Sequence, residues 1–413
     1  MKKILIIFFA AELVWKLVLK YLNYEGDSSP ETRARILKFF TEADITVGQE
    51  YSRSGFYAGL GSFAVKNILM FFMAFSPLSA RLEDIVKKWS RDREWLTNML
   101  FVLAAYTVMT VLFLPLDFYF SYVLEHKFGF SNMTVGAWFW RECKNFILGA
   151  VFMTIAVLPS LWIIKKVQFY WIFIVPTAGI IFGLFMSVVY PVLILPVYYD
   201  VEKIQEGSLK TKIMKLADSS KIPVSEIFII KESEYSNHTN AFFVGFGDNK
   251  KIYLYDTLIK KNSEEETISV LAHEIGHWKY NHQIKGIVYE FIFSLLEFGL
   301  LYFCLKKLKE ETDLIREFHS VSSLPMFILI FGLVSTVLSP VNAGLSRSME
   351  AEADYEALVL TDDPESFISS EIRLARDNKS RLDSHPLPSF IYDSHPETLD
   401  RIEMAVKYRE RRK

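Results

Sequence analysis

The sequence has very little cysteine and no excess of charge of either sign. Only two cysteines, Cys143 and Cys304, occur among 413 residues, and this excludes a disulfide framework. The same shortage argues against a thiolate metal site, so any metal must be held by histidine and carboxylate groups. Lys and Arg number 46 against 48 Asp and Glu, a net charge of -2. A nucleic-acid-binding protein needs a basic excess, so that class is excluded as well.

Apolar and aromatic residues are abundant instead. Hydrophobic residues make up 51% of the chain, aromatic residues 15% with 35 phenylalanines, and charged residues only 23%, with a mean hydropathy of +0.20. Together these values are typical of a membrane protein, in contact with lipid, and exclude disordered and collagen-like chains.

Apolar runs of about 18 or more residues are long enough to span a bilayer. The sequence predicts seven spans, at residues 4–22, 56–78, 95–124, 146–164, 169–195, 284–305 and 325–345. Glu12 and Lys16 interrupt the first, for which a signal peptide is the alternative. We favour a retained span, because the apolar pattern continues past Ala11 without a clean small-residue cleavage site.

Four ionisable residues fall within the predicted spans, where charge is unfavourable unless it faces protein or water. They are Lys66, Asp117, Glu290 and Glu297. Glu290 and Glu297 are seven residues apart on one helical face. For these two we predict a polar interior between the helices.

Two polar segments lie between and after the spans. Because two spans separate them, both lie on the same side of the membrane and can form one domain. The predicted fold is mainly α: a seven-helix integral membrane protein with a polar domain, which contains a small sheet, on one membrane face. Its predicted division is into membrane segments 1–196 and 284–345 and polar segments 197–283 and 346–413.

The first polar segment contains short strand patterns followed by a helical one. Strands are predicted at residues 227–230, 241–244 and 251–255, with turn residues at 245–249 between the last two. Ser263 is the predicted N-cap of a helix that opens with three glutamates.

This helix carries the sequence His273-Glu274-Ile275-Gly276-His277, an HExxH motif. Residues i and i+4 share one face of a helix, so the two imidazoles can bind one Zn²⁺ ion. Glu274 lies beside them and can take a proton from water and later deliver it to a leaving amine. Two solvated histidines on an amphipathic helix are the alternative, but Val270, Leu271 and Ala272 make the surrounding helix uncharged.

A catalytic zinc site needs a third protein ligand. Just after the seventh span the sequence reads as a helix with Glu350 and Asp354 one turn apart. Glu350 could bind zinc while Asp354 accepts a hydrogen bond from a ligand imidazole. Spacing alone does not decide between Glu350 and Glu352, and an acidic solvated face is a further alternative.

These residues resemble those of the type I CAAX prenyl proteases, which are membrane zinc endopeptidases, and the resemblance covers nearly the whole chain. Residues 346–354 are similar to the family's Ser-Arg-x-x-Glu-x-x-Ala-Asp signature, and residues 239–243 to its Ser-Asn-Ala strand. The resemblance implies seven spans around a large chamber, with zinc at its polar end. It also implies that Glu350, rather than Glu352, is the third ligand.

The tail and the strand supply the remaining residues that the resemblance implies. His395, in a Ser-His-Pro segment followed by Arg401, would face the active site and stabilise an oxyanion, and Arg401 would orient supporting carboxylates. His385 repeats the Ser-His-Pro letters without the arginine and is interpreted as an exposed turn residue. Asn240 and Ala241 would hold a substrate that pairs with an edge strand; a structural Asn at a strand start is the alternative.

The predicted function is therefore zinc-dependent cleavage of peptides or proteins at the membrane. The resemblance implies that the substrates are prenylated CAAX proteins. A quality-control protease with non-prenylated substrates is one alternative, and a non-enzymatic seven-helix transporter or receptor is another. The expected location is the bacterial inner membrane or the endoplasmic reticulum, with the zinc site on the cytosolic side. The oligomeric state is left open.

Overall fold

A computed structural model describes residues 1–27, 29–245 and 250–412, and the chain is mainly helical. Residues 246–249, which hold most of the turn predicted between the second and third strand patterns, lie outside the described residues. The α-helices, in chain order, are Lys2–Glu25, Pro30–Ile36, Glu42–Ser54, Phe56–Phe75, Leu78–Trp89, Glu94–Phe118, Glu125–Lys127, Val135–Val167, Trp171–Val189, Leu195–Tyr198, Ser208–Ser219, Asp256–Lys261, Glu264–Lys279, His282–Glu311, Leu324–Thr361, Pro364–Asp377, Pro386–Tyr392 and Thr398–Glu410.

Among the described residues, five helical stretches are long and apolar enough to cross a membrane. They are Glu42–Phe75, Glu94–Lys127, Val135–Tyr198, His282–Glu311 and Val321–Thr361. Large apolar side chains on these stretches face outwards, with Val111 64% and Val337 76% exposed. Such a surface is typical of helices that contact lipid.

Two of the seven predicted spans fall within one of these stretches. The stretch Val135–Tyr198 contains the helices Val135–Val167 and Trp171–Val189, separated near Gln168, where φ is 43°. The rings of Phe152 and Phe182 lie 6.5 Å apart, so the chain reverses between the two helices. The first predicted span lies in the helix Lys2–Glu25, which is not one of the five stretches.

A four-stranded sheet lies between the fifth and sixth predicted spans. Its strands are β1 (Val201–Lys203), β2 (Val224–Ile230), β3 (Ala241–Val244) and β4 (Lys250–Tyr255), in the order β1-β2-β4-β3. β2 and β4 are parallel, and the other two pairs are antiparallel. The three predicted strands are confirmed, β1 was not predicted, and β3 is an edge strand of the sheet.

The helix Glu264–Lys279, here called the motif helix, begins as predicted at Ser263. The Ser263 hydroxyl accepts a hydrogen bond from the Glu266 N–H, and the Glu266 carboxylate accepts one from the Ser263 N–H. This reciprocal cap satisfies two amide groups at the start of the helix. Glu266 also bonds Arg373 of the helix Pro364–Asp377, so the cap joins the two polar segments.

One buried cluster surrounds the motif helix and unites the two polar segments. It combines Leu271 and Ile275 of the motif helix with Leu254 of β4 and Leu358 of the helix Leu324–Thr361, here called the long helix. The cluster also contains residues from the segment that precedes the second predicted span, namely Ile36, Phe40 and Ile45. The protease part of the fold therefore draws on residues that the predicted division assigns to membrane segment 1–196.

Candidate metal centre

Two imidazoles of the motif helix converge on one point. His273 and His277 are one helical turn apart, and their Nε2 atoms are 3.0 Å from each other. Their rings are nearly perpendicular, at 80°. The convergence follows from the helical repeat, which places residues i and i+4 on the same face.

A carboxylate from the long helix meets the two imidazoles. Glu350 Oε2 lies 3.3 Å from His273 Nε2, and Glu350 Oε1 lies 3.5 Å from His277 Nε2. One donor atom from each of the three residues lies within 4.8 Å of the others. Glu352, the alternative left open by spacing, points elsewhere and lies 3.0 Å from the Nε2 atom of His282.

The separations of the three donor atoms and the unpaired oxygen of Glu350 are better explained by a shared metal ion than by direct hydrogen bonds among the three side chains. Ligand atoms about 2.1 Å from an ion at tetrahedral angles are about 3.4 Å apart, close to the separations found here. Glu350 Oε2 is buried and has no hydrogen-bond partner among the described residues. An unpaired buried carboxylate oxygen is unfavourable unless a cation joins it.

The outer face of His273 is held by an ionic chain. Its Nδ1 atom lies 2.7 Å from Asp354 Oδ1, and Asp354 is fully buried. Arg401, on the helix Thr398–Glu410, donates to both carboxylate oxygens of Asp354 and pairs with Glu371 at 2.7 Å. An Asp354 carboxylate held in this way accepts a hydrogen bond from the Nδ1–H of His273 and leaves the Nε2 lone pair facing the centre.

Burial and charge shape the electrostatics of the centre. Burial raises the pKa of the Glu274 carboxyl, which moves it towards the range of a base that works near neutral pH. Burial opposes the charged form of His273, but the hydrogen bond to Asp354 and the nearby Glu350 carboxylate outweigh it and raise its pKa to about 10. The centre thus favours positive charge beside the two carboxylates.

Close packing of two helices brings the ligands together. A Cβ atom on Gly276 would lie 2.8 Å from Ala353 Cα and 2.9 Å from the Ala353 carbonyl oxygen. Ala353 stands between Glu350 and Asp354 in sequence. The missing side chain at Gly276 therefore lets the long helix approach near enough for both carboxylates to reach the histidines.

Comparisons with known proteins agree with this site. The family model "Peptidase family M48" matches residues 203–409, and "CAAX prenyl protease N-terminal, five membrane helices" matches residues 20–200. The chain belongs to peptidase family M48. It is therefore a metalloprotease and an integral, multi-pass membrane protein, and the transporter or receptor alternative is wrong.

Several relatives of this M48 peptidase span most of its length. It is 28% identical to the uncharacterized metalloprotease YhfN of Bacillus subtilis, over 94% of this chain and 92% of the relative. It is 31% identical to a CAAX prenyl protease 1 homolog of Arabidopsis thaliana, over 75% and 74%. The crystal structure of S. mikatae Ste24p has a TM-score of 0.85 at 24% identity and covers 97% of this chain and 98% of that one. This likeness shows that the two share a fold.

His395 lies at the rim of the M48 centre. Its Nε2 atom is 3.4 Å from Glu350 Oε2, its Nδ1 atom is 2.8 Å from the Ser394 hydroxyl, and its side chain is 60% exposed. His385 is directed elsewhere and caps the helix Pro386–Tyr392 by accepting the Leu387 N–H. Of the two Ser-His-Pro histidines, the structure brings His395 to the centre.

Asn240 and Ala241 stand at the start of the edge strand. The Asn240 side-chain oxygen accepts the Ala241 N–H at 2.8 Å, and the Asn240 carbonyl accepts the Tyr255 N–H at 3.0 Å. A cavity of about 550 Å³ opens beside them, lined in part by Phe243 of β3 and Tyr190 of the neighbouring helix. Of the two residues predicted to hold substrate, Asn240 thus lines this cavity, and it also supports its own strand.

A larger cavity of about 1050 Å³ lies between the membrane helices. Both Glu290 and Glu297 line it, as predicted for residues that face the interior, although most of the other lining residues are apolar, and Glu297 accepts a hydrogen bond from Ser335. Lys66 instead lies over the ring of Phe113, at 4.8 Å. The cavity reaches Ser346, Met349 and Ser394, close to the metal centre.

Sequence reasoning missed three members of the site. Glu371 neutralises Arg401, His282 contacts His277, and Gly276 admits the long helix. Gly276 was visible as the glycine inside the HExxH motif, a position where a glycine weakens a helix unless close packing requires it. Glu371 and His282 carry no motif of their own.

Proposed function

We propose that this protein is a zinc endopeptidase in which His273, His277 and Glu350 hold the metal. The observation that carries the proposal is the convergence of their three donor atoms within 4.8 Å, with one buried oxygen of Glu350 unpaired. A zinc ion there would act as a Lewis acid on the scissile carbonyl and lower the pKa of water. Two histidines and one glutamate leave a fourth position open, as in other catalytic zinc sites.

Glu274 is the proposed general base and acid. It follows the first ligand directly in the motif helix, and burial raises the pKa of its carboxyl. It takes a proton from the attacking water and delivers it to the leaving amine. His395, at the exposed rim, donates a hydrogen bond to the oxyanion that forms when the carbonyl is attacked. Asp354 and Arg401 hold His273 in the required orientation.

The substrate is proposed to bind in extended form along β3. An edge strand offers free backbone groups for an added strand, and β3 stands at the end of the sheet order. Asn240 and Ala241 would contact the substrate backbone at the start of this strand. The cavity beside them would receive apolar side chains of the substrate.

The proposed substrates are prenylated proteins that end in a CAAX motif. Support comes from relatives named CAAX prenyl protease 1, among them one from Saccharomyces cerevisiae at 30% identity. A quality-control protease with non-prenylated substrates is the second candidate, since YhfN, which this chain matches over 94% of its length, carries no such name. Cleavage of a farnesylated CAAX peptide, measured against its unprenylated twin, separates the two.

We also propose seven membrane crossings. Contacts between connecting segments support this count. On the side of the metal centre, Glu125 bonds His238, and Ile36 packs in the core of the motif helix. On the other side, Arg316 pairs with Asp84, and the amino terminus pairs with Glu311. Seven crossings, of which the helix Lys2–Glu25 is the first, place both members of each of these contacts on the same side of the membrane.

The proposed division of the chain into membrane and protease segments follows from this topology. Segments 1–196 and 284–345 form the membrane part, with residues 36–45 adding to the protease core, and segments 197–283 and 346–413 form the protease part. We place the protease face in the cytosol, the expected side for prenylated carboxyl termini, in a bacterial inner membrane or the endoplasmic reticulum. Labelling of single cysteines introduced into the tail, in sealed vesicles, tests that orientation.

Metal analysis combined with Glu274→Gln tests the proposed chemistry. The purified wild-type protein is expected to contain one zinc ion and to lose peptidase activity on chelation. Glu274→Gln is expected to keep the zinc and to lose activity by a factor of about 100 to 10,000, the usual contribution of a general base. A variant that cleaved peptides at the wild-type rate would refute the assignment of Glu274.

A further inference from the structure

His277 contacts a second imidazole on the side away from the metal centre. Its Nδ1 atom lies 2.9 Å from the Nδ1 atom of His282. The Nε2 atom of His282 lies 3.0 Å from Glu352 Oε2, and Lys285 Nζ lies 3.2 Å from the same oxygen. A continuous chain of polar contacts therefore runs from the centre to the surface.

The backbone between the motif helix and the next helix fixes this contact. The motif helix ends at Lys279, and Asn281 adopts a left-handed conformation with φ 54° and ψ 38°. The next helix starts at His282, so the turn brings His282 back against the last turn of the motif helix. The His282 side chain is 4% exposed, and its ring stacks on Tyr280 at 5.8 Å.

The positions of the protons follow from the contacts. Two nitrogens 2.9 Å apart require one donor and one acceptor. The Glu352 carboxylate can only accept, so the Nε2 atom of His282 donates to it. The contact with Glu352 therefore places a His282 proton on Nε2, and the arrangement in which His282 Nδ1 accepts the Nδ1–H of His277 satisfies both contacts. This leaves the His277 Nε2 atom unprotonated and facing the centre.

The reverse arrangement does not suit a metal ligand. If His277 accepted at Nδ1, its own proton would be on Nε2, directed at the Nε2 atom of His273 only 3.0 Å away. No lone pair of His277 would then face Glu350. Only the first arrangement gives both histidines a free lone pair towards the same point.

We propose that His282 is a positioning residue for the ligand His277, acting through a relay of His277, His282 and Glu352. The proposal rests on the proposed function, because it assumes that His277 binds the metal. The relay does for His277 what Asp354 does for His273, but with an imidazole in place of a buried carboxylate. It also gives Glu352 a role beside Glu350 that does not involve binding the metal.

Two substitutions of similar shape separate this role from simple packing. The side-chain oxygen of Asn can occupy the place of the His282 Nδ1 atom and accept the proton of His277. Leu fills a similar volume and cannot accept. The pair His282→Asn and His282→Leu is therefore compared with His319→Leu, a histidine change in the segment on the opposite side of the protein from the motif helix.

The measurements are zinc affinity, by competition with a chelator, and the visible spectrum of the Co²⁺-substituted protein. We expect His282→Leu to lower zinc affinity about 10- to 100-fold, the usual effect of removing the partner of a ligand imidazole. His282→Asn should stay within about threefold of wild type, since one acceptor is kept. The Co²⁺ spectrum should change in the Leu variant alone, and His319→Leu should match wild type.

Equal losses of zinc affinity in the Asn and Leu variants would refute the relay and favour a packing role for His282. Wild-type zinc affinity in both variants would also refute the relay. If the Leu variant does not fold, Glu352→Ala replaces it, because Glu352 is 45% exposed. Its affinity should fall several-fold, and an unchanged affinity would refute the relay. A wild-type protein without zinc would instead refute the proposed function, so the two failures are distinguishable.

Discussion

Replacement of Gly276 by alanine should break the metal centre without touching any ligand. The new Cβ atom would lie 2.8 Å from Ala353 Cα, 2.9 Å from the Ala353 carbonyl oxygen and 3.2 Å from its Cβ. Two of these contacts are with backbone atoms, so a change of rotamer cannot relieve them. The motif helix and the long helix must move apart.

The size of the movement follows from the distances. Carbon atoms in favourable contact are about 3.5–4.0 Å apart, so the helices must separate by roughly 0.7–1.2 Å. Metal sites tolerate only about 0.2 Å of error in ligand distance. Glu350 and Asp354 flank Ala353 and move with it, so both the third ligand and the partner of His273 are displaced. Zinc affinity should fall by about two orders of magnitude.

The effect on stability should be smaller than the effect on metal binding. Overpacking of a core costs about 1–3 kcal/mol, and alanine recovers up to about 1 kcal/mol through its helix propensity. We therefore expect the apo protein in detergent to be destabilised by about 1–2 kcal/mol and to remain folded. Zinc content and peptidase activity should nevertheless be nearly lost.

Two further variants make this test specific. Gly299→Ala, in the helix His282–Glu311, meets no atom within 4 Å and should leave zinc binding unchanged. Ala353→Gly added to Gly276→Ala removes only the 3.2 Å contact and should not restore the site. Wild-type zinc affinity in Gly276→Ala, or full rescue by Ala353→Gly, would refute the reasoning.

Three other predictions concern the surroundings of the centre. Arg401→Met removes the cation that Asp354 and Glu371 share, leaves Asp354 only its hydrogen bond to His273, and should destabilise the protein by about 3–5 kcal/mol in thermal or denaturant unfolding; adding Glu371→Gln should recover part of this loss. The hydrogen bond to Glu125 raises the pKa of His238, so His238 stabilises the fold at pH 6 and loses this effect as pH rises through the raised value. The difference in melting temperature between wild type and His238→Asn should therefore be larger at pH 6 than at pH 8.5, and an equal difference would contradict it. Asn240→Ala should lower kcat/KM about 3- to 10-fold if its side chain holds the substrate backbone, and an unchanged value would leave Asn240 a structural role.

Local patterns in the sequence predicted the parts of the site that depend on one helix or strand. The i and i+4 spacing placed His273 and His277 together, and the run from Ser263 to Glu266 set the start of the motif helix. Glu350 was different, because spacing left Glu352 equally suitable and family resemblance decided between them. In the structure the difference is rotational: Glu350 and Glu352 are two residues apart, about 200° around the helix, so only one can face the histidines.

Other members could not be predicted because their roles depend on packing between distant segments. Glu371 acts only because the helices Pro364–Asp377 and Thr398–Glu410 bring it to Arg401. His282 depends on the single left-handed residue Asn281. Ile36 and Phe40 belong to the protease core, although hydropathy places them in the loop that connects the first two predicted spans. None of these relations leaves a periodic signal in the sequence.

The long helix explains how a soluble-looking protease site can be built at a membrane. Leu324–Thr361 runs without interruption from the seventh predicted span to Glu350 and Asp354, so the depth of that span fixes the height of Glu350, the proposed third ligand. The two histidines approach from the motif helix, which sits in a core shared by both polar segments and by residues 36–45. The contact between Gly276 and Ala353 and the hydrogen bond between His273 and Asp354 join these two bodies. A metal ion bound there would tie the membrane helices to the protease core, so metal removal should loosen the contact between them as well as stop catalysis.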